Sequence, residues 1–246
     1  MKPEYNKVKV IENVNIVSNI YKMSIVNTSS KSMKPGQFYM LKSWYNAPLL
    51  PRPISVSSFN KDEITFLYAV CGQGTELLSK LEPLEEIEVT GPLGNGFDIE
   101  KINGKVAIVS GGIGIAPMVQ LVKDLKDCTI DLYAGFRNDI YAVDEMKEYL
   151  NEIYISTEDG SLGHKGYITD LLDVDKYSAV LCCGPEVMMK KVVSLCKEKN
   201  IPAYISMEKR MACGVGACLV CTCKTKDGNK RTCKDGPVFY GNDLIL

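Results

Sequence analysis

The sequence predicts a multidomain β plus α/β protein. It comprises an antiparallel β-barrel over residues 1–100, a doubly wound parallel-sheet domain over 101–206, and a small cysteine-rich appendage over 207–246. Three observations carry this. The first hundred residues hold short β-branched and aromatic runs, separated by Pro, Gly and Asn at intervals of roughly ten to fifteen residues. From Lys105 onward, strand-like runs alternate with amphipathic ones, as crossover helices over a parallel sheet require. Five of the ten cysteines then fall between Cys213 and Cys233, in a Gly-rich stretch too short to build a core unaided.

The barrel strands are read in order as KVKVIENV, YKMSIVN, QFYMLKSW, EITFLYAV and EEIEVTGPLG. TELLSKLEPL alone has helical spacing there, broken at Pro83. RPIS taken alone would be an edge strand, because proline cannot donate to a ladder. In the second domain KVAIVSGG, TIDLYAGF, IYISTED, SAVLCCGP and IPAYIS read as strands. APMVQLVKDLK, EMKEYLNE, ITDLLDV and PEVMMKKVVSLCKEKN read as the helices between them.

Composition narrows the function. The chain has 29 basic and 30 acidic residues, a net charge of −1, with 46% hydrophobic residues. No basic surplus exists to draw nucleic acid or an anionic membrane surface. The start MKPEYNKVKVIENV lacks the apolar core of a signal peptide, and no stretch approaches ~18 uninterrupted apolar residues. A cytoplasmic location is therefore expected, where a disulfide framework is the weaker reading of ten cysteines and metal or redox chemistry the stronger. His164 is the only histidine, which excludes mechanisms needing two; it is expected to be solvated.

The tail spacing is Cys213-x4-Cys218-x2-Cys221-x11-Cys233. It matches the plant-type ferredoxin arrangement, in which four thiolates hold a [2Fe–2S] cluster. Gly214 and Gly216 permit amides to turn toward sulfur, and Ala212 and Ala217 are too small to crowd a cluster. A structural zinc would want two C-x2-C knuckles, and only Cys218/Cys221 forms one. Cys223, two positions past Cys221, points the other way in an extended segment and is read as a non-ligand.

Gly111-Gly112-Ile113-Gly114-Ile115-Ala116-Pro117 lies between a strand and a helix, where glycines admit a pyrophosphate and Pro117 suits a first helical turn. Thr157–Ser161, with Asp159 and Gly160, and Cys182–Pro185, with Cys183 and Gly184, close further parallel strands where open α/β sheets place ligands. No acidic residue is clearly placed to read a ribose: Asp131 opens its strand, and Arg137 follows Phe136. NAD and NADP both stay open on this feature.

Arg52-Pro53-Ile54-Ser55, Leu67-Tyr68-Ala69-Val70, Gly72-Gln73-Gly74-Thr75 and GGIGIAP, in that order, resemble the ferredoxin–NADP reductase superfamily. The resemblance implies an FAD site on Arg52, Pro53, Ile54, Ser55, Leu67, Tyr68, Ala69, Gly74 and Thr75. Arg52 would pair with the pyrophosphate, Ser55 would bond near flavin N5, and the Gly74–Thr75 turn would cap the pyrophosphate. Ile54 stands where the family usually has an aromatic. It further implies a nicotinamide-dinucleotide site on Gly111, Gly112, Gly114, Pro117, Asp159, Gly160, Cys183, Gly184 and Pro185. The Cys183 thiol near the nicotinamide is the one catalytic candidate.

LLPRPISV, GPLGNGFD, SMEKRMACGVGAC and CKDGPVF are more narrowly similar to the electron-transfer subunits of dihydroorotate dehydrogenase B. That resemblance implies a separate FMN subunit that oxidises dihydroorotate, a heterotetramer of two of each, and electron flow through [2Fe–2S] and FAD to NAD⁺ in pyrimidine biosynthesis. The base for the dihydroorotate step would lie on the partner. Two alternatives stand beside it. One is the small FAD/[2Fe–2S] subunit of an NAD(P)H:ferredoxin oxidoreductase or sulfhydrogenase; the other is a zinc-clipped binding module without catalysis.

Overall fold

The computed structural model describes residues 3–246; residues 1 and 2, counted in the expected first domain, lie outside the described residues. Six strands close an antiparallel barrel: β1 (Glu4–Val17), β2 (Ile20–Val26), β3 (Phe38–Lys42), β4 (Arg52–Phe59), β5 (Glu63–Ala69) and β6 (Glu86–Leu93). They are ordered β1-β2-β5-β4-β3-β6. Side chains alternate across a strand, so β5 sends Ile64, Phe66 and Tyr68 into the barrel core. Leu67 of the same strand faces outward, into a core shared with the second domain. A short helix, α1 (Gln73–Ser79), follows β5. RPIS is not an edge strand: the barrel closes, and β4 pairs with β3 on one side and β5 on the other. Closure removes the edge that proline was expected to mark.

The second sheet is built from β7 (Gly104–Gly111), β8 (Cys128–Phe136), β9 (Glu152–Thr157), β10 (His164–Lys165), β11 (Ala179–Cys183) and β12 (Ala203–Ser206). Its order is β10-β9-β8-β7-β11-β12, all parallel. Central parallel strands are covered on both faces and so read as unbroken apolar runs. In β7, Val106 and Ile108 enter one core and Ala107 and Val109 the other. The first core is covered by α2 (Ala116–Asp124), the second by α3 (Glu186–Glu198), which buries Met189, Val192 and Cys196 on one face. This is the doubly wound arrangement the alternation predicted.

Two expected helices are absent as such. EMKEYLNE holds only a 3₁₀ turn, Lys147–Tyr149, and ITDLLDV only the turns Ile168–Asp170 and Val174–Lys176. The crossover from β8 to β9 reaches back to the barrel instead. Asp139 accepts a hydrogen bond from Ser18, and Glu145 pairs with Lys22 at 2.8 Å. Too little chain then remains for a helix before β9. Helix α2 packs directly on β4, and Gln120 Oε1 accepts the Phe59 amide at 3.1 Å.

The tail forms a hairpin, β13 (Thr222–Thr225) with β14 (Gly228–Arg231), and a strand β15 (Val238–Tyr240) that returns to pair antiparallel with β12. The expected boundary after residue 100 falls within the 3₁₀ turn Ile99–Lys101, and that after 206 directly follows β12. No helix among the described residues is long and apolar enough to cross a membrane.

Candidate functional site

The cysteine loop is organised by its own amides. Val215, Ala217 and Cys218 donate backbone N–H groups to Cys213 Sγ at 3.4, 3.3 and 3.4 Å. Gly216 makes this turn possible, sitting at φ +81°, a conformation that L side chains rarely adopt. Burial alone would raise the Cys213 thiol. The amides of Cys218, Val215 and Ala217, with the Cys218 side chain, outweigh it and bring the pKa down to about 6. Across the site the Cys233 amide donates to Cys221 Sγ at 3.4 Å. Burial, with the Cys221 thiol beside it, pushes the Cys233 thiol up to about 12, so it is the inward-turned amides that fit an anionic iron–sulfur centre on these four cysteines. Among the described residues, no three of His, Cys, Asp and Glu close around a single-ion point. Cys223 is buried on β13, with the Thr232 hydroxyl beside it.

Cys221 and Cys233 are buried against Phe38, Met40 and Leu93, the outward side chains of β3 and β6. A Cβ on Gly214 would fall 2.7 Å from Met40 Cγ, so the loop lies flat on the barrel. Strand β3 pairs on its other edge with β4, where Phe38 opposes Ser55 and Met40 opposes Pro53. One strand therefore separates the cysteine site from Arg52–Ser55.

Arg52 and Gly74, twenty-odd residues apart in sequence, meet. A Cβ on Gly74 would lie against Arg52 Nε and 2.5 Å from Cζ. The guanidinium also donates to Leu50 O at 2.6 Å and stacks 5.5 Å from the Trp44 ring centroid. Trp44 was missed in the sequence; its signal was a lone tryptophan shortly before RPIS. All four residues Arg52–Ser55 stay half-exposed, as a cofactor-facing rim requires.

The other residues assigned to FAD are placed differently. Tyr68 is 1% exposed, its ring stacked on Tyr21 and its hydroxyl donating to Asn13 Oδ1 at 3.0 Å. Leu67 is buried in the core between domains, and Ala69 ends β5. The Thr75 hydroxyl accepts the Cys71 and Gly72 amides and donates to Gly72 O. It closes its own helix turn, a local role that the G-x-x-T pattern did not reveal.

The dinucleotide residues converge. A Cβ on Gly114 would strike the Cys183 carbonyl and lie 2.8 Å from Gly184 Cα. One on Gly111 would lie 2.7 Å from Pro185 Cδ, and Gly112 opens the turn at φ +52°. Pro117 stands in the first turn of α2. Asp159 and Gly160 follow β9, two strands from β7 in the sheet order, where Asp159 accepts the Ser161 amide at 2.9 Å. Burial pushes the Cys183 thiol up to about 12, so it is a neutral thiol rather than a thiolate. In register with it on β7, Ser110 is buried with its hydroxyl unpartnered. Asp131 lies near the other end of its strand, paired with Lys105, and so does not read a ribose.

Comparison with known proteins finds two matching families. The family described as the iron–sulfur cluster binding domain of dihydroorotate dehydrogenase B matches residues 208–245, and the oxidoreductase NAD-binding domain matches 108–194. The dihydroorotate dehydrogenase B (NAD(+)) electron transfer subunit of Clostridium acetobutylicum is 57% identical over 246 residues, covering 100% of this chain and 99% of its own. That of Clostridium perfringens is 56% identical, covering 99% of both. Among solved structures, a chain of the NADH-dependent reduced ferredoxin-NADP oxidoreductase superposes with TM-score 0.86 at 28% identity, over 97% of this chain and 89% of that one. Plasmodium falciparum ferredoxin-NADP+ reductase shares the fold, with TM-score 0.65 at 19% identity over 81% of this chain and 95% of its own.

Proposed function

The chain belongs to the family of electron transfer subunits of NAD(+)-dependent dihydroorotate dehydrogenase B, and from that premise we propose how its residues serve the transfer. The protein is an oxidoreductase subunit that takes electrons from a catalytic partner and passes them to NAD⁺, with a [2Fe–2S] cluster and FAD as its cofactors. The partner is an FMN-containing subunit that oxidises dihydroorotate in pyrimidine biosynthesis, assembled with this chain as two of each in the cytoplasm. Bound together, the cluster and the flavin supply single-electron exchange on one side and hydride exchange with nicotinamide on the other.

Cys213, Cys218, Cys221 and Cys233 hold the cluster, and the amides around Cys213 stabilise its negative charge. The Arg52 fork would receive the flavin pyrophosphate, and Gly74 is bare enough to let the guanidinium lie against it. Ser55 offers a hydroxyl at the reacting edge of the ring. Pro53 and Ile54 line the same strand, and Leu67–Ala69 contribute backbone from the neighbouring one. Gly111, Gly112, Gly114 and Pro117 admit the dinucleotide at the start of α2. Asp159, Gly160, Gly184 and Pro185 would border it, and the neutral Cys183 thiol at the end of β11 would orient the nicotinamide rather than attack it.

The observation that carries this reading is the seat of Cys221 and Cys233 on Phe38 and Met40, with β4 on the far edge of the same strand. It supports a cluster held against the flavin strand rather than on a free appendage. Its test is co-purification with an FMN-bearing partner and dihydroorotate-dependent reduction of NAD⁺. A complex that reduces NAD⁺ only with ferredoxin or hydrogen would overturn the substrate assignment. A colourless, zinc-loaded protein would overturn the cofactors.

A further inference from the structure

The four cysteines come from two pieces of chain. Cys213 and Cys218 sit on a loop tied to itself by the amides that reach Cys213 Sγ. Cys221 and Cys233 flank the β13–β14 hairpin and are held together by the Thr232 amide on Cys221 O and the Cys233 amide on Cys221 Sγ. A cluster bridging both pieces needs them at a fixed separation, which neither set of bonds provides.

Arg231 spans the gap. Its Nη1 donates to Gly216 O at 3.4 Å, within the first loop. Its Nε and Nη2 donate to Asp235 Oδ2 and Oδ1 at 2.9 and 3.1 Å, and its backbone N–H to Oδ2 at 2.7 Å. Its carbonyl accepts the amides of Lys234, Asp235 and Gly236, closing the turn that carries Cys233. The Lys234 stem packs on the first loop as well, since a Cβ on Gly216 would fall 2.8 Å from Lys234 Cδ. Asp235 in turn is anchored to the barrel. Asn95 Nδ2 donates to the carbonyls of Lys234 and Asp235, and the Asn95 amide to Gly236 O at 2.6 Å. A continuous line of bonds therefore runs from Gly216 through Arg231 and Asp235 to the end of β6.

An exposed one-point ion pair would fix nothing, because two long side chains remain free to separate in water. This pair differs in two ways. It is bidentate, which sets the plane of the guanidinium, and its side chains are 33% and 26% exposed. A lysine could supply the charge but not the fork.

We propose that Arg231 and Asp235 are the positioning pair of the cysteine site, locking the Cys213/Cys218 loop against the Cys221/Cys233 hairpin at the spacing that a two-iron cluster needs. The proposal rests on the reading that these four cysteines hold [2Fe–2S]. Neither residue touches the sulfurs as a ligand; both act through Gly216 and the 231–236 turn.

The test uses the full-length protein isolated with its cofactors, as wild type and as Arg231→Met, Arg231→Lys and Asp235→Asn. Cluster loss to an iron chelator is followed by visible absorption, and the reduced cluster by its electron paramagnetic resonance. Outer partners of metal ligands typically carry a 10–100-fold effect, so Arg231→Met and Asp235→Asn should each release the cluster about tenfold faster or more. Their resonance lines should broaden, while FAD content stays at the wild-type level. Arg231→Lys should give only partial rescue. Wild-type release rate and line shape in Asp235→Asn, the near-isosteric change least able to disturb folding, would overturn the proposal. A wild type holding no iron–sulfur cluster would instead overturn the reading beneath it.

Discussion

At the scale of single residues, the proposed cluster divides the tail's five cysteines between 213 and 233 into four ligands and one bystander. Cys218 is exposed on the loop, whereas Cys223 is buried two positions beyond Cys221 on an extended strand. Replacing Cys218 with Ala removes one of four thiolates and should abolish partner-driven NAD⁺ reduction. NADH oxidation by an artificial two-electron acceptor should continue, because Arg52 and the Gly111–Pro117 turn are untouched. Cys223→Ala should keep both activities and the iron content. Equal loss in the two variants, measured as iron per chain, would make Cys223 a ligand. The four proposed ligands could be named from the sequence because thiolate spacing is a local property of the chain. Gly214 and Gly216 also signalled inward-turned amides, but that three of them collect on Cys213 Sγ was not legible, since a backbone direction has no residue letter.

At the scale of elements, one polar group shows how the parallel sheet is pinned away from its ligands. Asp131 of β8 is 1% exposed and accepts from Lys105 Nζ, Tyr177 Oη and Asn151 Nδ2, each at 2.8 Å. Burial would raise its pKa, but these bonds from Lys105, Asn151 and Tyr177 outweigh it and hold the carboxyl below the usual carboxylate range. A carboxylate depressed in the folded state contributes stability that is present above its unfolded pKa of about 3.9 and is lost as pH falls through the folded value. Asp131→Ala should therefore destabilise the protein at neutral pH by about 2 kcal/mol. The figure sits at the low end of such losses because Lys105, 40% exposed, can return to water. Urea melts of the two proteins should converge as pH is lowered below about 4; a gap independent of pH would mean that packing, not charge, is what Asp131 provides. Elements with a strong apolar period, such as KVAIVS, were readable for the same reason that they are buried. EMKEYLNE was not: its helical spacing yields to a crossover drawn toward Ser18 and Lys22, and no local pattern encodes that pull. In FYMLK the unbroken apolar run was a signal that both faces of β3 are covered, but the cover is contributed from residues 211–233, far along the chain.

At the scale of the whole molecule, the tail is neither a separate body nor self-supporting. Its apolar seat on the barrel is Met211, Cys221 and Cys233 against Phe38, Met40 and Leu93. Two of the tail's own contributions are thus proposed ligand sulfurs. The tail is further held by the hairpin, the Asn95 bonds, β15 on the edge of the second sheet, and Met207 and Leu244 buried in that sheet's core. The two larger domains are joined independently of it, through α2 on β4 and the core containing Ile20, Leu67 and Phe97. Because metal binding energy is folding energy where a site has little core of its own, removing the iron should loosen the tail selectively. Amide hydrogen exchange after chelation should lose protection across residues 213–233 and at Asn95. The strands β7 and β11, buried between both helical cores, should keep theirs, and β15 should be intermediate because its ladder with β12 does not depend on sulfur. Exchange that rises uniformly through the barrel and the parallel sheet would mean that the cluster holds the entire molecule. Unchanged exchange at Cys221 and Cys233 would mean that Phe38, Met40 and the Arg231–Asp235 line preorganise the site before metal arrives.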